Sequence, residues 1–158
     1  MLELLKPDDR FEHISDIDLD YFSDRNLFGM VIDIDNTVMP YSCQDIPGRI
    51  KTWINKADEM GYKISFVSNT ATERTEYLAE EFGFPVYGMS LKPLRKNLLR
   101  VQNEFDIPKK NMVIIGDQIF TDILGGNLAG FYTILVEPLT ERDFIVTKGL
   151  RWLESFIR

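Results

Sequence analysis

Short apolar runs alternate with amphipathic stretches along this chain. Five runs read as strands: residues 29–35 (GMVIDID), 63–68 (KISFVS), 85–88 (PVYG), 112–115 (MVII) and 132–136 (YTILV). Between them the apolar positions recur at helical spacing. Ile50, Trp53, Ile54 and Ala57 share one face of a helix that Gly61 stops. Residues 70–82 form a second helix, with Thr70 or Thr72 as N-cap and Gly83 as its end. Residues 93–105 form a third, with Pro93 in its first turn and Leu94, Leu98, Val101 and Phe105 at core spacing. A fourth runs over 119–128 and is closed by Gly130, and residues 142–157 carry Val146, Leu150, Leu153 and Ile157 on one stripe. Residues 1–28 are mixed: Pro7 breaks any early helix, and Ile14, Ile17 and Leu19 pack as a short turn.

Strands separated by helices of this length imply right-handed βαβ units. Runs that are continuously apolar suit strands covered on both faces. The expected fold is α/β: a Rossmann-like three-layer sandwich around a central parallel sheet of about five strands. One domain spans 1–158, with an N-terminal extension (1–28), a core (29–139) and a C-terminal helix (140–158) whose apolar stripe suits docking on that core or on another surface.

Composition narrows the function. The net charge of −7 argues against a nucleic-acid binder, which would carry a basic face. A single cysteine, Cys43, excludes an internal disulfide framework and a multi-cysteine zinc site. The single histidine, His13, lies far upstream of the strand-end motifs and reads as structural. No apolar run approaches the ~20 residues of a membrane span. The opening residues turn acidic too soon for a secretory signal, so the cytoplasm is the expected compartment.

The chemistry gathers at strand ends. The run Val31–Thr37 (VIDIDNT) closes an apolar strand with Asp33 and Asp35, which an extended chain would turn to one face. Two carboxylates so placed repel unless a cation or proton lies between them. In open α/β sheets, ligands bind outside the carboxyl ends of the strands. The other strand ends add Ser68-Asn69-Thr70, Lys92 and Gly116-Asp117, with Asp122 five residues further on. Carboxylates, a hydroxyl and a lysine on one rim suit phosphoryl transfer. A carboxylate can attack phosphorus to form an acyl phosphate, while positive charge and donors stabilise the phosphoryl oxygens. Oxygen-rich ligands of this kind suit Mg2+.

DIDNT (33–37), VSN (67–69), Lys92-Pro93 and GDQIFTD (116–122), in that order, resemble the four motifs of the haloacid dehalogenase (HAD) superfamily. The longer strings LKPDDRFEHISDID, GDQIFTDILGGNLAGFYTILVEPL and TKGLRWLE are similar to the YqeG family of subfamily IIIA HAD phosphatases, a likeness covering nearly the whole chain. That family is related to the mitochondrial-type phosphatidylglycerophosphate phosphatases. The resemblance implies a Mg2+-dependent phosphomonoester phosphatase, with Asp33 as nucleophile and Asp35 as general acid/base. Ser68 and Lys92, with Asn69 shaping their loop, would hold the phosphoryl oxygens. Asp33, the Asp35 carbonyl and Asp117 would ligate the metal, with Asp122 and Thr37 in support.

The spacing leaves no room for a cap domain: Met39–Ile46 is too short, and residues 70–92 hold one helix and one short strand. A capless site stays open, so specificity must come from a large substrate, an interface or a partner chain. A phospholipid headgroup such as phosphatidylglycerophosphate fits, with peripheral membrane contact through a basic stretch over Lys92–Arg100. The rivals are a soluble sugar or nucleotide phosphate sheltered in a homo-oligomer, and an assembly protein that keeps the fold without its chemistry.

Overall fold

The computed structural model describes residues 2–40, 43–70, 73–93 and 95–140. Six strands lie in one sheet: β1 (Asp9–Phe11), β2 (Gly29–Asp33), β3 (Lys63–Val67), β4 (Val86–Tyr87), β5 (Met112–Gly116) and β6 (Tyr132–Val136). Their order is β1-β6-β5-β2-β3-β4, and every pairing is parallel. The helices are α1 (Asp20–Asp24), α2 (Gly48–Glu59), α3 (Glu73–Phe82), α4 (Lys96–Phe105) and α5 (Leu124–Ala129). The chain is thus an open, doubly wound α/β sandwich of the Rossmann type. The C-terminal helix expected from the 142–157 stripe lies outside the described residues, as do Thr72 and Leu94.

Burial follows the apolar pattern. All five residues of β2 and of β5 are buried, as their continuous hydrophobicity requires of central strands. Alternate residues feed opposite layers. Met30 and Ile32 join Ile50, Trp53, Ile54 and Phe66 on one face, whereas Val31 packs with Val67, Leu98 and Val101 on the other. α5 lies close against the sheet: a Cβ on Gly126 would stand 2.3 Å from the Ile114 Cγ2 and 2.7 Å from the Thr133 Cγ2.

Three features depart from the pattern. The sheet has six strands rather than five, because Asp9–Phe11 pairs beside β6. This edge strand is short and polar, so periodicity does not reveal it. It is held by Asp8, whose carboxylate accepts from the backbone N–H of Thr133 at 2.8 Å and from its hydroxyl at 3.1 Å. β2 ends at Asp33 rather than Asp35. Beyond it the backbone turns back: the N–H groups of Val38 and Met39 donate to the Ile34 carbonyl, and Asn36 takes a left-handed φ of 63°. The segment expected as one helix over 119–128 opens with a wide π-helical turn, Ile119–Ile123, before α5 begins.

Residues 34–47 join β2 to α2, and among the described residues the connection 68–95 between β3 and α4 holds α3 and β4. Both connections are too short to carry an inserted cap domain.

Candidate active site

The carboxyl ends of β2, β3, β4 and β5 meet at one rim, and Lys92 is its hub. The lysine is 6% exposed. Its Nζ donates to Asp33 Oδ1 at 2.5 Å, to the Val67 carbonyl at 3.3 Å, and to Asp122 Oδ1. Asp117, the residue after β5, completes the cluster. One carboxylate oxygen from each of Asp33, Asp117 and Asp122 lies within 4.8 Å of the other two, and all three residues are buried.

Local structure fixes each member. Asp122 sits in the π-helical turn, where its Oδ2 accepts from the Gln118 N–H at 3.1 Å. It leans over Gly116, whose missing Cβ leaves the room: an added Cβ would meet the Asp122 carboxyl carbon at 2.3 Å. Asn69 brackets the lysine backbone, its Oδ1 accepting from the Lys92 N–H at 2.6 Å and its Nδ2 donating to the Lys92 carbonyl at 3.2 Å. The Ser90 hydroxyl donates to the Ser68 carbonyl at 2.7 Å, tying this loop to the end of β3. The Thr37 hydroxyl donates to Asp33 Oδ2 at 3.4 Å.

Asp35 occupies different surroundings. Its Oδ2 accepts from the hydroxyls of Ser68 at 3.2 Å and Thr70 at 3.3 Å, and its Oδ1 lies 3.1 Å from Arg74 Nε. The two carboxylates of the DIDNT motif therefore do not share one partner. Asp33 belongs to the lysine and the acidic cluster, Asp35 to hydroxyls and a guanidinium. The Ser68 hydroxyl faces Asp35. Arg74, at the start of α3, is the residue that motif reading passes over; four residues beyond Thr70 it carries no local signal, and only the fold brings it to Asp35. Cys43 is exposed, and its carbonyl accepts from Arg74 at 3.1 Å. His13 belongs to an N-terminal turn, where its N–H donates to Asp16.

The electrostatics follow from burial. Burial pushes the Asp33 carboxyl up to about 7, helped by the Asp122 carboxylate and opposed by the Lys92 ammonium. Burial by itself would lower the Lys92 ammonium, but Asp122 and Asp33 outweigh it and hold the group above its ordinary value. Three buried carboxylates against one ammonium make an acidic cluster that is relieved by a proton on Asp33 or by a bound cation. The donor set is all oxygen, which suits a hard divalent ion.

Known proteins resemble this chain. Residues 91–138 match the HAD-hydrolase-like family model. Over 151 residues the chain is 33% identical to the probable phosphatase YqeG of Bacillus subtilis, covering 96% of this chain and 88% of that protein. The chain belongs to the YqeG family of HAD-type phosphatases.

A second relative of this YqeG-family phosphatase is the chloroplastic/mitochondrial phosphatidylglycerophosphate phosphatase 1 of Arabidopsis thaliana, 33% identical over 148 residues. That match covers 85% of this chain but only 42% of the plant protein. Among solved structures, the cobalt-bound deoxy-D-mannose-octulosonate 8-phosphate phosphatase of Haemophilus influenzae superposes with a TM-score of 0.57 at 11% identity, over 80% of this chain and 75% of that one. At that identity the likeness speaks for the fold alone.

Proposed function

We propose that this YqeG-family chain hydrolyses a phosphate monoester through an aspartyl-phosphate on Asp33, with Mg2+ as cofactor and phosphatidylglycerophosphate as substrate. The observation that carries this reading is Lys92 held between Asp33 and Asp122, with Asp117 beside them.

A carboxylate oxygen of Asp33 attacks phosphorus, the ester P–O bond breaks, and the departing oxygen takes a proton from Asp35. Asp35, now ionised, takes a proton from water, and the hydroxide attacks phosphorus to release inorganic phosphate and restore Asp33. Lys92 presents positive charge to the phosphoryl oxygens, and Asn69 and Ser90 keep its backbone in place. Ser68 and Thr70 hold the Asp35 carboxylate, and Ser68 can turn its hydroxyl to a phosphoryl oxygen once substrate arrives. Asp33, Asp117 and Asp122, with the Asp35 carbonyl, would hold Mg2+, which supplies charge neutralisation on the phosphoryl group. Thr37 steadies Asp33.

A single domain over 1–158, in the cytoplasm and in peripheral contact with a membrane, fits this reading. Among the described residues no helix is long and apolar enough to cross a membrane. The missing cap favours a substrate whose phosphate is presented on a large body. Phosphate release from phosphatidylglycerophosphate, measured with and without Mg2+ beside soluble sugar and nucleotide phosphates, is the test. Faster release from the lipid supports the reading; equal or better use of soluble esters replaces it with the soluble-phosphate alternative.

A further inference from the structure

The loop between β4 and Lys92 uses its residues against their preferences. Met89 has φ 49° and Leu91 φ 52°, both in the left-handed region that glycine or asparagine adopts more readily than long apolar side chains. Burial does not explain the choice, since Met89 is 64% and Leu91 62% exposed. The residues alternating with them point inward. The backbone N–H and hydroxyl of Ser90 both donate to the Ser68 carbonyl, and Lys92 enters the acidic cluster. The loop is thus pinned to the active-site rim by its polar residues while it displays two apolar ones to solvent.

Basic residues flank this display. Arg95 and Lys96 follow it and are exposed. Arg95 Nη1 donates to the carbonyl of Leu128, another exposed apolar residue. Arg100 lies over the ring of Tyr87, two residues before Met89, at 5.0 Å. Arg100 is itself ion-paired with Glu104 at 3.1 Å, so Arg95 and Lys96 place the positive charge beside these exposed apolar groups, in a chain whose net charge is −7.

We propose that the Met89–Leu91 loop is a docking element for an anionic phospholipid surface. Met89 and Leu91 enter the headgroup–acyl boundary, and Arg95 and Lys96 meet the anionic headgroups. The docked loop brings Lys92 and Asp33 to a phosphate carried on that surface. Two apolar side chains are far too few for a stable protein interface, which buries about 1,200 Å² or more. A second copy would also bring the same basic residues against themselves. The inference deepens the lipid reading of the proposed function and relies on the phosphatase chemistry only for its purpose.

The experiment uses the full chain and the double variant Met89→Asn/Leu91→Asn, since asparagine accepts the left-handed backbone. Cosedimentation is measured with phosphatidylcholine vesicles lacking or containing phosphatidylglycerol, alongside hydrolysis of soluble 4-nitrophenyl phosphate and the thermal midpoint. The wild-type chain should sediment with anionic vesicles only, and high salt should weaken binding. The double variant should lose roughly tenfold or more of that binding, with soluble hydrolysis and thermal midpoint retained. Arg95→Gln/Lys96→Gln should weaken binding as salt does. Wild-type chain that stays in the supernatant, or a double variant that binds equally, overturns the proposal. So does a wild-type dimer, seen by light scattering, that the double variant abolishes. Sedimentation reads docking whether or not the soluble ester is turned over, so failure of the phosphatase reading shows separately.

Discussion

Arg74 sets its Nε 3.1 Å from Oδ1 of Asp35, and the same guanidinium donates to the carbonyls of Met39, Pro40 and Cys43. One side chain at the start of α3 thereby holds both the proposed acid/base and the turn that follows β2. A lysine keeps the charge but not the planar fork. With Arg74→Lys, kcat on alkyl phosphate esters should fall about 10- to 100-fold. The loss on 4-nitrophenyl phosphate, whose leaving group needs little protonation, should be much smaller. Steady-state kinetics on both esters decides the matter: equal losses would make Arg74 a support for the turn rather than a positioning residue for Asp35.

Asp33→Asn removes the proposed nucleophile while nearly preserving shape. Turnover should drop by at least ~10⁴-fold. At pH 8 the thermal midpoint should hold or rise, because the variant no longer ionises a carboxyl that burial pushes up to about 7. Enzyme assay and calorimetry on one preparation suffice. A soluble, folded variant with near wild-type turnover would remove Asp33 from the mechanism.

Gly116→Ala should damage the site without replacing a charged residue. Its Cβ would lie 2.6 Å from the Asp122 Cβ and 2.3 Å from its Oδ2, so the carboxylate must move off Lys92 and the Gln118 N–H. Overpacking of this kind costs about 1–3 kcal/mol. The expected result is a lower thermal midpoint together with weaker divalent-metal binding by calorimetric titration. A wild-type metal affinity in this variant would show that Asp122 is not needed where the structure places it.

The raised Asp33 carboxyl gives a pH signature to metal binding. The folded metal-free chain holds a proton that the unfolded chain gives up from about pH 4. The stability linked to that proton is full at low pH and is lost as pH rises through about 7. A divalent ion displaces the proton, so its apparent affinity should rise about tenfold per pH unit up to that value and then flatten. Titration at pH 6 in buffers of different ionisation enthalpy should detect about one proton released per metal, with little release above pH 8. Pure pH independence would contradict the burial of an ionisable Asp33 in the metal site.

Local patterning carried the architecture. Ile50, Trp53, Ile54 and Ala57, like Leu98, Val101 and Phe105, show their burial in their spacing, because a helix repeats a face every few residues. Central strands such as β2 and β5 are legible because both faces are covered and every residue up to the carboxylate Asp33 that ends β2 is apolar or glycine. The strand-end residues Asp33, Ser68, Lys92 and Asp117 were also legible as candidates, since a parallel sheet directs all its carboxyl ends to one rim. Other features depended on contacts between distant segments, which no local period records. Asp33 and Lys92 meet across 59 residues, Asp35 and Arg74 approach through separate loops, and Asp8 binds Thr133 across 125. β1 was invisible because a short polar edge strand exists only through its partner. The division of the DIDNT pair has the same origin: β2 stops at Asp33, so the turn beyond it, rather than strand alternation, decides what Asp35 faces.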